Sequence, residues 1–379
     1  DADSTTTFGA RHHLPGDLAV ENVRTLAPYV PGKPIEELQR ELGLDDIIKL
    51  ASNENPFGAS PRALAAMQRA IADTWLYPDG SGHILKQKLA AKLGVDTAQI
   101  TLGNGSNDLL VMLAEAFLGP GLEAVYSQYA FAVYPIAVQA TGAKGVVTPA
   151  LPADSAMPLG HDLDAMARAI TPRTRVVFVA NPNNPTGTWV PAAQLKQFIA
   201  AAPAHVLVAL DEAYFEYTDG LGLQDGVEWL RGFPNLVVFR TFSKAYGLAG
   251  VRVGYAVSHA SVAGMLNRVR QAFNVSVVGL AGAAAALDDP DHLANAVKVA
   301  VAERARVTAH LQKAGTRVLP SAGNFLMLHA GAHAKERYEA LLRRGIIVRP
   351  VGNYGLPEHL RVTLGTFEQN DRFLKAWED

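Results

Sequence analysis

Three short apolar runs, each followed at once by polar residues, constrain the fold more than any other feature of this sequence. The runs and the segments that follow them are RVVFVA (175–180) before NPNNPTG (181–187), HVLVAL (205–210) before DEAY (211–214), and NLVVF (235–239) before RTFSK (240–244). Near-continuous apolar strands are typical of a parallel sheet covered on both faces. Because ligands bind outside the carboxyl ends of such strands, the polar segments are predicted to form one shared site.

The rest of the chain predicts an α/β protein with two domains and an N-terminal arm. Residues 1–60 are predicted to be mostly irregular, apart from one short helix over IEELQREL (35–42), and to pack with the small domain or a dimer partner. Residues 61–275 alternate helical patterns with short apolar runs, which predicts a large domain around a mixed, mostly parallel sheet. Residues 276–379 combine a long helical pattern with further apolar runs and predict a smaller α/β domain.

Composition argues against several classes of protein. The 379-residue chain has a formal net charge of -2 and 18% charged residues, so no basic surface for nucleic acid or anionic membranes is expected. Its apolar stretches fall short of a membrane span of roughly 18 residues, and its polar N-terminus carries no apolar signal core, so we expect a cytoplasmic protein. The absence of cysteine excludes disulfides, thiolate zinc sites and a cysteine nucleophile. His12 and His13 are expected to be solvated, and no metal is predicted.

Lys244 lies in SKAYGLAG, among small and apolar residues where a lysine is expected only if it is paired or chemically used. A desolvated lysine near another cation has a lowered pKa, and its neutral amine can form a Schiff base. Asp211 and Glu212 are adjacent, so their side chains should point in different directions and not form a paired acid–base device.

A phosphate-binding region is predicted where a glycine-rich turn, residues 103–105, precedes a helix that begins near Ser106 or Asn107. Free N–H groups at a helix start attract anions, although an ordinary N-cap explains this turn equally well on its own. Further along the chain, a fixed cation and two hydroxyls could join the same phosphate: Arg252, Thr241 and Ser243. The chain has no Walker A pattern and no complete GxGxxG after its first strand, which argues against nucleotides.

A phosphate cradle, an isolated lysine and an aspartate at a strand end fit pyridoxal 5′-phosphate. Asp211 is predicted to pair with the pyridine nitrogen and keep it protonated, which makes the ring an electron sink. Asn184 and Tyr214 could hydrogen-bond the ring's phenolic oxygen. Taken singly, NPNNPTG could be only a proline-rich turn and DEAY only a helix start, but those interpretations do not explain all three segments together.

Nearly the whole chain from about residue 20 resembles the class I/II, fold-type I aminotransferases, and the histidinol-phosphate aminotransferases in particular. Besides SKAYGLAGVRVGY, NPNNPTG and DEAY, the motifs that carry this resemblance are LASNENPFGAS (50–60), YPDGSG (77–82), LGNGSND (102–108), NRVRQAFNVS (267–276), GIIVRPV (345–351) and LRVTLGT (360–366). The chain departs from the family's pattern at Ser127–Gln128, where a proline–threonine pair is usual, and at Ala272, where proline is frequent.

The resemblance implies a role for each matching residue. Lys244 would form the Schiff base and then act as the general acid and base, while Asp211 would pair with the pyridine nitrogen. The remaining cofactor contacts would come from Asn184, Tyr214, Tyr129 stacked on the ring, and a phosphate set of Ser106, Asn107, Thr241, Ser243 and Arg252. Tyr77 would reach that phosphate from a neighbouring subunit, which implies a homodimer. Arg361 would bind the substrate's acidic group, with Arg349 and Asn55 beside it.

The implied reaction transfers an amino group between L-histidinol phosphate and 2-oxoglutarate, in histidine biosynthesis. The phosphate of histidinol phosphate carries a charge near -2, which favours two arginines. Arg349 and Arg361 lie on neighbouring predicted strands and could converge, although Arg349 could instead pair with a surface carboxylate. An aromatic amino acid aminotransferase is the close alternative. A decarboxylase or lyase would share Lys244 and Asp211. A cofactor-sensing regulator would need a DNA-binding module, and the first 60 residues show none.

Overall fold

The computed structural model describes residues 14–379, so the expectation for His12 and His13 lies outside the described residues. Its α-helices, in chain order, are α1 (Glu21–Arg24), α2 (Ile35–Leu42), α3 (Pro61–Ala70), α4 (His83–Leu93), α5 (Ser106–Phe117), α6 (Val133–Ala140), α7 (Leu163–Arg168), α8 (Ala192–Ala201), α9 (Ala260–Val269), α10 (Val277–Leu287), α11 (Pro290–Lys313), α12 (Ala334–Arg343) and α13 (Phe367–Glu378). The strands are β1 (Ile48–Lys49), β2 (Ile100–Gly103), β3 (Glu123–Ser127), β4 (Lys144–Thr148), β5 (Thr174–Ala180), β6 (Leu207–Asp211), β7 (Leu236–Thr241), β8 (Gly254–Val257), β9 (Phe325–His329), β10 (Ile346–Ile347), β11 (Arg349–Val351) and β12 (Leu356–Thr363).

A seven-stranded sheet in the order β2-β8-β7-β6-β5-β3-β4 forms the centre of the large part of the molecule. β8 runs antiparallel to both of its neighbours, and the other pairs are parallel. The three apolar runs singled out in the sequence are β5, β6 and β7, which lie side by side. The predicted α/β fold with a mixed, mostly parallel sheet is therefore confirmed.

The central strands are apolar throughout because each contributes side chains to a core on either face of the sheet. Val177, Val179 and Leu210 pack in one core, while Phe178 and Ala209 pack in the other. This alternation follows from the two-residue repeat of a strand. At the end of β6 it sends two adjacent carboxylates to opposite faces.

The C-terminal part of the chain builds a second, smaller core. β11, β12 and β9 form an antiparallel sheet, and α11, α12 and α13 pack with it through Leu311, Leu341 and Trp377. β1, a two-residue strand that the sequence did not indicate, pairs in parallel with β10 and ties the N-terminal segment to this core. No helix within residues 14–379 is long and apolar enough to cross a membrane.

The helix α10 belongs to the core beneath the large sheet. It packs along α3, and Ala283 and Ala286 lie among the side chains of that core. The sequence placed the start of the small domain at residue 276, before this helix. The packing of α10 leads us to propose a boundary nearer Asp288, where α10 ends.

Candidate active site

A cavity of about 240 Å³ opens at the carboxyl ends of β5, β6 and β7. The structure brings eleven of the fourteen predicted site residues to its wall: Ser106, Asn107, Asn184, Asp211, Tyr214, Thr241, Ser243, Lys244, Arg252, Arg349 and Arg361. They come from distant segments of the chain, from Ser106 to Arg361, and from both the large and the small sheet. The ends of the parallel strands therefore meet at one site, as the sequence predicted.

Lys244 lies in the cavity with its ammonium nitrogen held by a single backbone acceptor. Its Nζ donates to the carbonyl oxygen of Ser52 at 3.1 Å and lies 5.8 Å from the centre of the Tyr214 ring. In the described part of the chain no carboxylate lies within 4.0 Å of it. Burial and the nearby Arg361 cation lower the pKa of Lys244 to about 8, which leaves a useful fraction of neutral amine near neutral pH.

Asp211 is a buried carboxylate that faces the cavity without a cationic partner. Its Oδ2 accepts a hydrogen bond from the Tyr134 hydroxyl at 2.6 Å, and its Oδ1 accepts from the Ala213 N–H at 3.2 Å. Burial raises its pKa, against these hydrogen bonds and the Lys244 charge, which lower it. No lysine, arginine or histidine nitrogen within residues 14–379 forms an ion pair with it. A protonated ring nitrogen would supply the missing positive charge.

The start of α5 and Arg252 form the anion-binding end of the cavity. α5 begins at Ser106, and no side chain caps its first N–H groups. Gly105 precedes it at φ +85°, and a Cβ there would lie 2.3 Å from Nη2 of Arg252. Only glycine allows the guanidinium to approach the helix start this closely. Arg252 itself has φ +61°, a conformation that non-glycine residues adopt mainly where their surroundings hold them.

Hydroxyl groups of the RTFSK segment lie beside this cation. Arg252 Nη1 donates to Ser243 Oγ at 3.1 Å and to the Ala249 carbonyl oxygen at 3.0 Å. Thr241 Oγ1 accepts from the Ser243 N–H at 3.0 Å, which fixes the turn between β7 and Lys244. Helix N–H groups, a guanidinium and two hydroxyls form a donor set that suits a phosphate.

Tyr214 and Asn184 are each oriented by a neighbour. The Tyr214 hydroxyl accepts from Asn53 Nδ2 at 2.9 Å, and Asn184 Oδ1 accepts from Arg361 Nη1 at 2.6 Å. Asn53, which the sequence reasoning missed, also lines the cavity and has φ +57°. Its position inside LASNENPFGAS, two residues before Asn55, is the signal that the sequence carries for it.

Arg349 and Arg361 lie directly opposite each other on β11 and β12. Both are buried, and Arg361 donates to the Ala51 carbonyl oxygen at 2.6 Å while its Nε has no partner. Arg349 donates to the Val30 carbonyl oxygen at 2.8 Å. Neither has a carboxylate within 4.0 Å among residues 14–379, so the alternative that Arg349 pairs with a surface carboxylate is wrong. Two adjacent cations without counter-ions suit a ligand with two negative charges.

Two of the predicted residues lie near the cavity but do not line it. Tyr129 packs against the apolar cluster that contains Leu319 and Met327, while Phe131, two residues later, lines the cavity. Asn55 Nδ2 donates to the Ala245 carbonyl oxygen at 3.0 Å, so it supports the backbone next to the lysine.

Tyr77 lies on the protein surface. It is 81% exposed, and its ring stacks on Phe273 with centroids 4.6 Å apart. Trp75 and Leu76 beside it are 80% and 50% exposed. Within the single chain, Tyr77 does not line the cavity.

The fold and this site define a class of enzyme, and comparison with known proteins agrees. Residues 45–376 match the family aminotransferase class I and II. The histidinol-phosphate aminotransferase 2 of Pseudomonas fluorescens is 55% identical over 95% of this chain and 96% of its own length, and that of Pseudomonas aeruginosa is 56% identical over the same shares. The chain therefore belongs to the histidinol-phosphate aminotransferase family of the class I and II aminotransferases, and the resemblance found in the sequence is confirmed.

A solved structure extends the comparison. The histidinol-phosphate aminotransferase of Sinorhizobium meliloti, in complex with pyridoxal 5′-phosphate, superposes with a TM-score of 0.86 at 32% identity. The match covers 95% of this chain and 96% of that one. The fold-type I architecture predicted from the sequence is thereby confirmed.

Proposed function

We propose that this enzyme transfers the amino group of L-histidinol phosphate to 2-oxoglutarate, giving imidazole-acetol phosphate and L-glutamate, as a step of histidine biosynthesis. The observation that carries the proposal is the pair formed by Arg349 and Arg361, two buried cations opposite each other without a carboxylate within 4.0 Å in the described chain. Relatives more than 50% identical over nearly their full length bear the name of this activity.

The cofactor is pyridoxal 5′-phosphate, and the donor set of the cavity fits it. This cofactor needs an amine for the Schiff base, a carboxylate for its ring nitrogen and an anion-binding site for its phosphate. The cavity offers them in Lys244, in Asp211, which has no cationic partner, and in the uncapped start of α5. When bound, the cofactor supplies the electron sink that stabilises negative charge on the substrate carbon. The protein supplies binding, orientation and proton transfer.

Lys244 and Asp211 perform the proton chemistry in this proposal. Lys244 would hold the cofactor covalently, and its amine, once free, would take the proton from the substrate carbon that bears nitrogen and donate it to the cofactor carbon bonded to that same nitrogen. Its lowered pKa, about 8, leaves neutral base available for this step. Asp211 holds a proton on the ring nitrogen, and Tyr134 fixes the carboxylate in position. Asn184 and Tyr214 orient the phenolic oxygen.

The remaining residues position the two ends of the cofactor and the substrate. Ser106, Asn107, Thr241, Ser243 and Arg252 would hold the cofactor phosphate. We transfer the stacking role from Tyr129 to Phe131, because Phe131 lines the cavity. For substrate, Arg361 and Arg349 would bind the phosphate of histidinol phosphate and, in the second half-reaction, the carboxylates of glutamate. Asn55 would act indirectly, through the Ala245 backbone.

We also propose a homodimer in which Tyr77 reaches the cofactor phosphate of the neighbouring subunit. The exposed aromatic and apolar side chains of Trp75, Leu76, Tyr77 and Phe273 support an interface there, since exposed apolar patches of this kind mark interaction sites. The expected compartment is the cytoplasm, which fractionation of cells that express the tagged protein would test.

The decisive experiment is a half-reaction on the cofactor-loaded enzyme. L-Histidinol phosphate, L-phenylalanine, L-tyrosine and L-glutamate are added separately, and the cofactor absorbance is followed as the amino group is transferred. A kcat/KM for histidinol phosphate far above those of the aromatic amino acids supports the proposal. Equal or higher values for the aromatic amino acids would make the enzyme an aromatic aminotransferase. Release of CO2 in place of an oxo product would identify a decarboxylase.

A further inference from the structure

On the opposite face of the sheet from Asp211, a buried arginine joins the segments that carry the site. Arg240 Nη2 donates to Glu212 Oε1 at 3.1 Å and to Asp225 Oδ1 at 2.6 Å. Arg240 and Glu212 are only 5% and 3% exposed. The roles proposed above do not use this group, although Glu212 directly follows Asp211 and Arg240 directly precedes Thr241.

The ion pair begins where the backbone pairing of β6 and β7 ends. The last paired residues of the two strands are Asp211 and Phe239, and the final backbone bond runs from the Glu212 N–H to the Phe239 carbonyl oxygen at 2.9 Å. The next N–H, that of Ala213, donates instead to the Asp211 side chain. Beyond this point the side chains of Glu212 and Arg240 provide the connection between the two strand ends.

The same guanidinium also lies over the ring of Phe215, with its central carbon 4.0 Å from the ring centre. Phe215 follows Tyr214, so Arg240 contacts both residues, Glu212 and Phe215, that flank the Ala213–Tyr214 segment. One planar, charged group therefore holds both ends of the turn that presents Asp211 and Tyr214 to the cavity. A lysine lacks the planar guanidinium that stacks on a ring while it donates to two carboxylates.

We infer that Arg240 is a positioning residue, which with Glu212 sets the placement of Asp211 and Tyr214 relative to the cofactor ring. The inference rests on the cofactor roles proposed for those two residues. Displacing a reacting group by about 1 Å costs up to roughly a hundredfold in rate, so loosening this turn has a measurable effect. The substrate arginines lie on other strands, β11 and β12, and keep their contacts.

The test compares Arg240→Lys, Arg240→Met and Glu212→Gln with a matched control, Glu123→Gln. Glu123 is also a buried glutamate of the large sheet, 5% exposed, but it lies at the amino end of β3 and contacts Thr171 and Arg173. For each variant we would measure Tm, the Kd of the apoenzyme for pyridoxal 5′-phosphate, the pH midpoint of the bound-cofactor absorbance, and kcat and KM with the substrate that wild type prefers.

The expected result is a separation of stability from cofactor placement. Each Arg240 variant raises the cofactor Kd and lowers kcat by about tenfold, shifts the absorbance midpoint and leaves KM within about twofold, because the misplaced groups belong to the cofactor site. Glu123→Gln lowers Tm while its Kd, kcat and midpoint stay at wild-type values. A folded Arg240→Lys or Glu212→Gln enzyme with wild-type Kd, kcat and midpoint would overturn the inference, even if Arg240→Met does not fold.

Asp211→Asn separates this inference from the function on which it rests. If Asp211→Asn weakens cofactor binding and the Arg240 variants do not, only the positioning role is wrong. If Asp211→Asn itself binds the cofactor like wild type, the proposed role of Asp211 is wrong.

Discussion

Tyr134 donates a 2.6 Å hydrogen bond to the carboxylate of Asp211 from α6, a helix packed on one face of the large sheet. The Tyr134 ring is fully buried and stacks on Phe178 with centroids 4.7 Å apart, so the hydroxyl has a fixed direction. A hydrogen bond to a charged group contributes roughly 1.5–3 kcal/mol. Through this hydrogen bond, the packing of the core fixes the position of the Asp211 carboxylate in the site.

Tyr134→Phe removes this hydrogen bond and keeps the ring. We expect the apoenzyme to bind pyridoxal 5′-phosphate at least about tenfold more weakly, because the carboxylate proposed to pair with the ring nitrogen loses its orientation. Isothermal titration with the cofactor measures this. Tyr126→Phe is the control, since Tyr126 is a buried tyrosine of the same core. Equal effects of the two substitutions would contradict a specific role for Tyr134.

Lys244→Ala is expected to abolish steady-state transamination and covalent attachment of the cofactor. Borohydride reduction followed by mass spectrometry should add the cofactor's mass to the wild-type chain and not to the variant. Lys144→Ala, at an exposed position on β4, should retain both properties. Retained turnover in Lys244→Ala would rule out its assignment as the catalytic lysine.

The capture of cofactor by the apoenzyme should rise with pH through about 8, the pKa to which burial and Arg361 lower Lys244. Below that pH the amine is protonated and cannot attack; above it the amine is neutral. Arg361→Gln removes a neighbouring positive charge, so the ammonium form persists to higher pH and the midpoint moves upward. Stopped-flow absorbance measures this midpoint, over a range from roughly two pH units below to roughly two units above the pKa of about 8.

Arg349→Gln provides the comparison for that shift. It removes a cation from the same cavity, but Arg349 is not among the main charges that act on Lys244. Its midpoint should stay near that of wild type. A midpoint that is unchanged in Arg361→Gln would show that the Arg361 charge does not lower the pKa of Lys244.

The two arginines should also differ in effect between substrates. Arg361→Ala is expected to cost at least ~2 kcal/mol in transition-state binding for acidic substrates, because it removes a buried charged partner. Arg349→Gln should lower kcat/KM for histidinol phosphate more than for phenylalanine, since only the phosphate carries a second negative charge. Steady-state kinetics with both substrates decides. Equal losses in kcat/KM for the two substrates would mean that Arg349 supports the site without binding the substrate phosphate.

Mixing subunits tests whether Tyr77 acts across a dimer interface. Lys244→Ala and Tyr77→Ala chains with different tags are coexpressed, and the mixed dimer is purified. If each site takes Lys244 from one chain and Tyr77 from the other, the mixed dimer has one site with both residues and one site with neither. Random pairing then restores about a quarter of wild-type activity in the unfractionated mixture. Activity no greater than the sum of the separate variants would place Tyr77 outside the partner's site.

The strand ends could be predicted from sequence because their signals are local. An apolar run that ends in Asp211 or in the RTFSK segment gives both the strand and the edge of the sheet at which the polar residue lies. The structure places these ends together, as parallel pairing requires.

Tyr134, Asn53 and Phe131 could not be assigned in the same way. Each acts through a contact between distant segments: Tyr134 with Asp211, 77 residues away, and Asn53 with Tyr214, 161 residues away. Nothing in an isolated stretch of sequence specifies which aromatic of YSQYAFAVY turns toward the cavity. That choice depends on the start of α6 and on its packing against the sheet.

Because Asp211 and Glu212 lie on opposite faces of the sheet, the length of β6 determines which carboxylate faces the cavity. One carboxylate faces the cavity and the next is bound to Arg240 on the other side of the sheet. Inserting or deleting one residue within β6 would exchange the two sides. An insertion would place the aspartate beside the guanidinium of Arg240, and a deletion would place the longer glutamate where Asp211 faces the cavity. The site therefore tolerates a change of length in the loops around β6 better than a change of length within β6 itself.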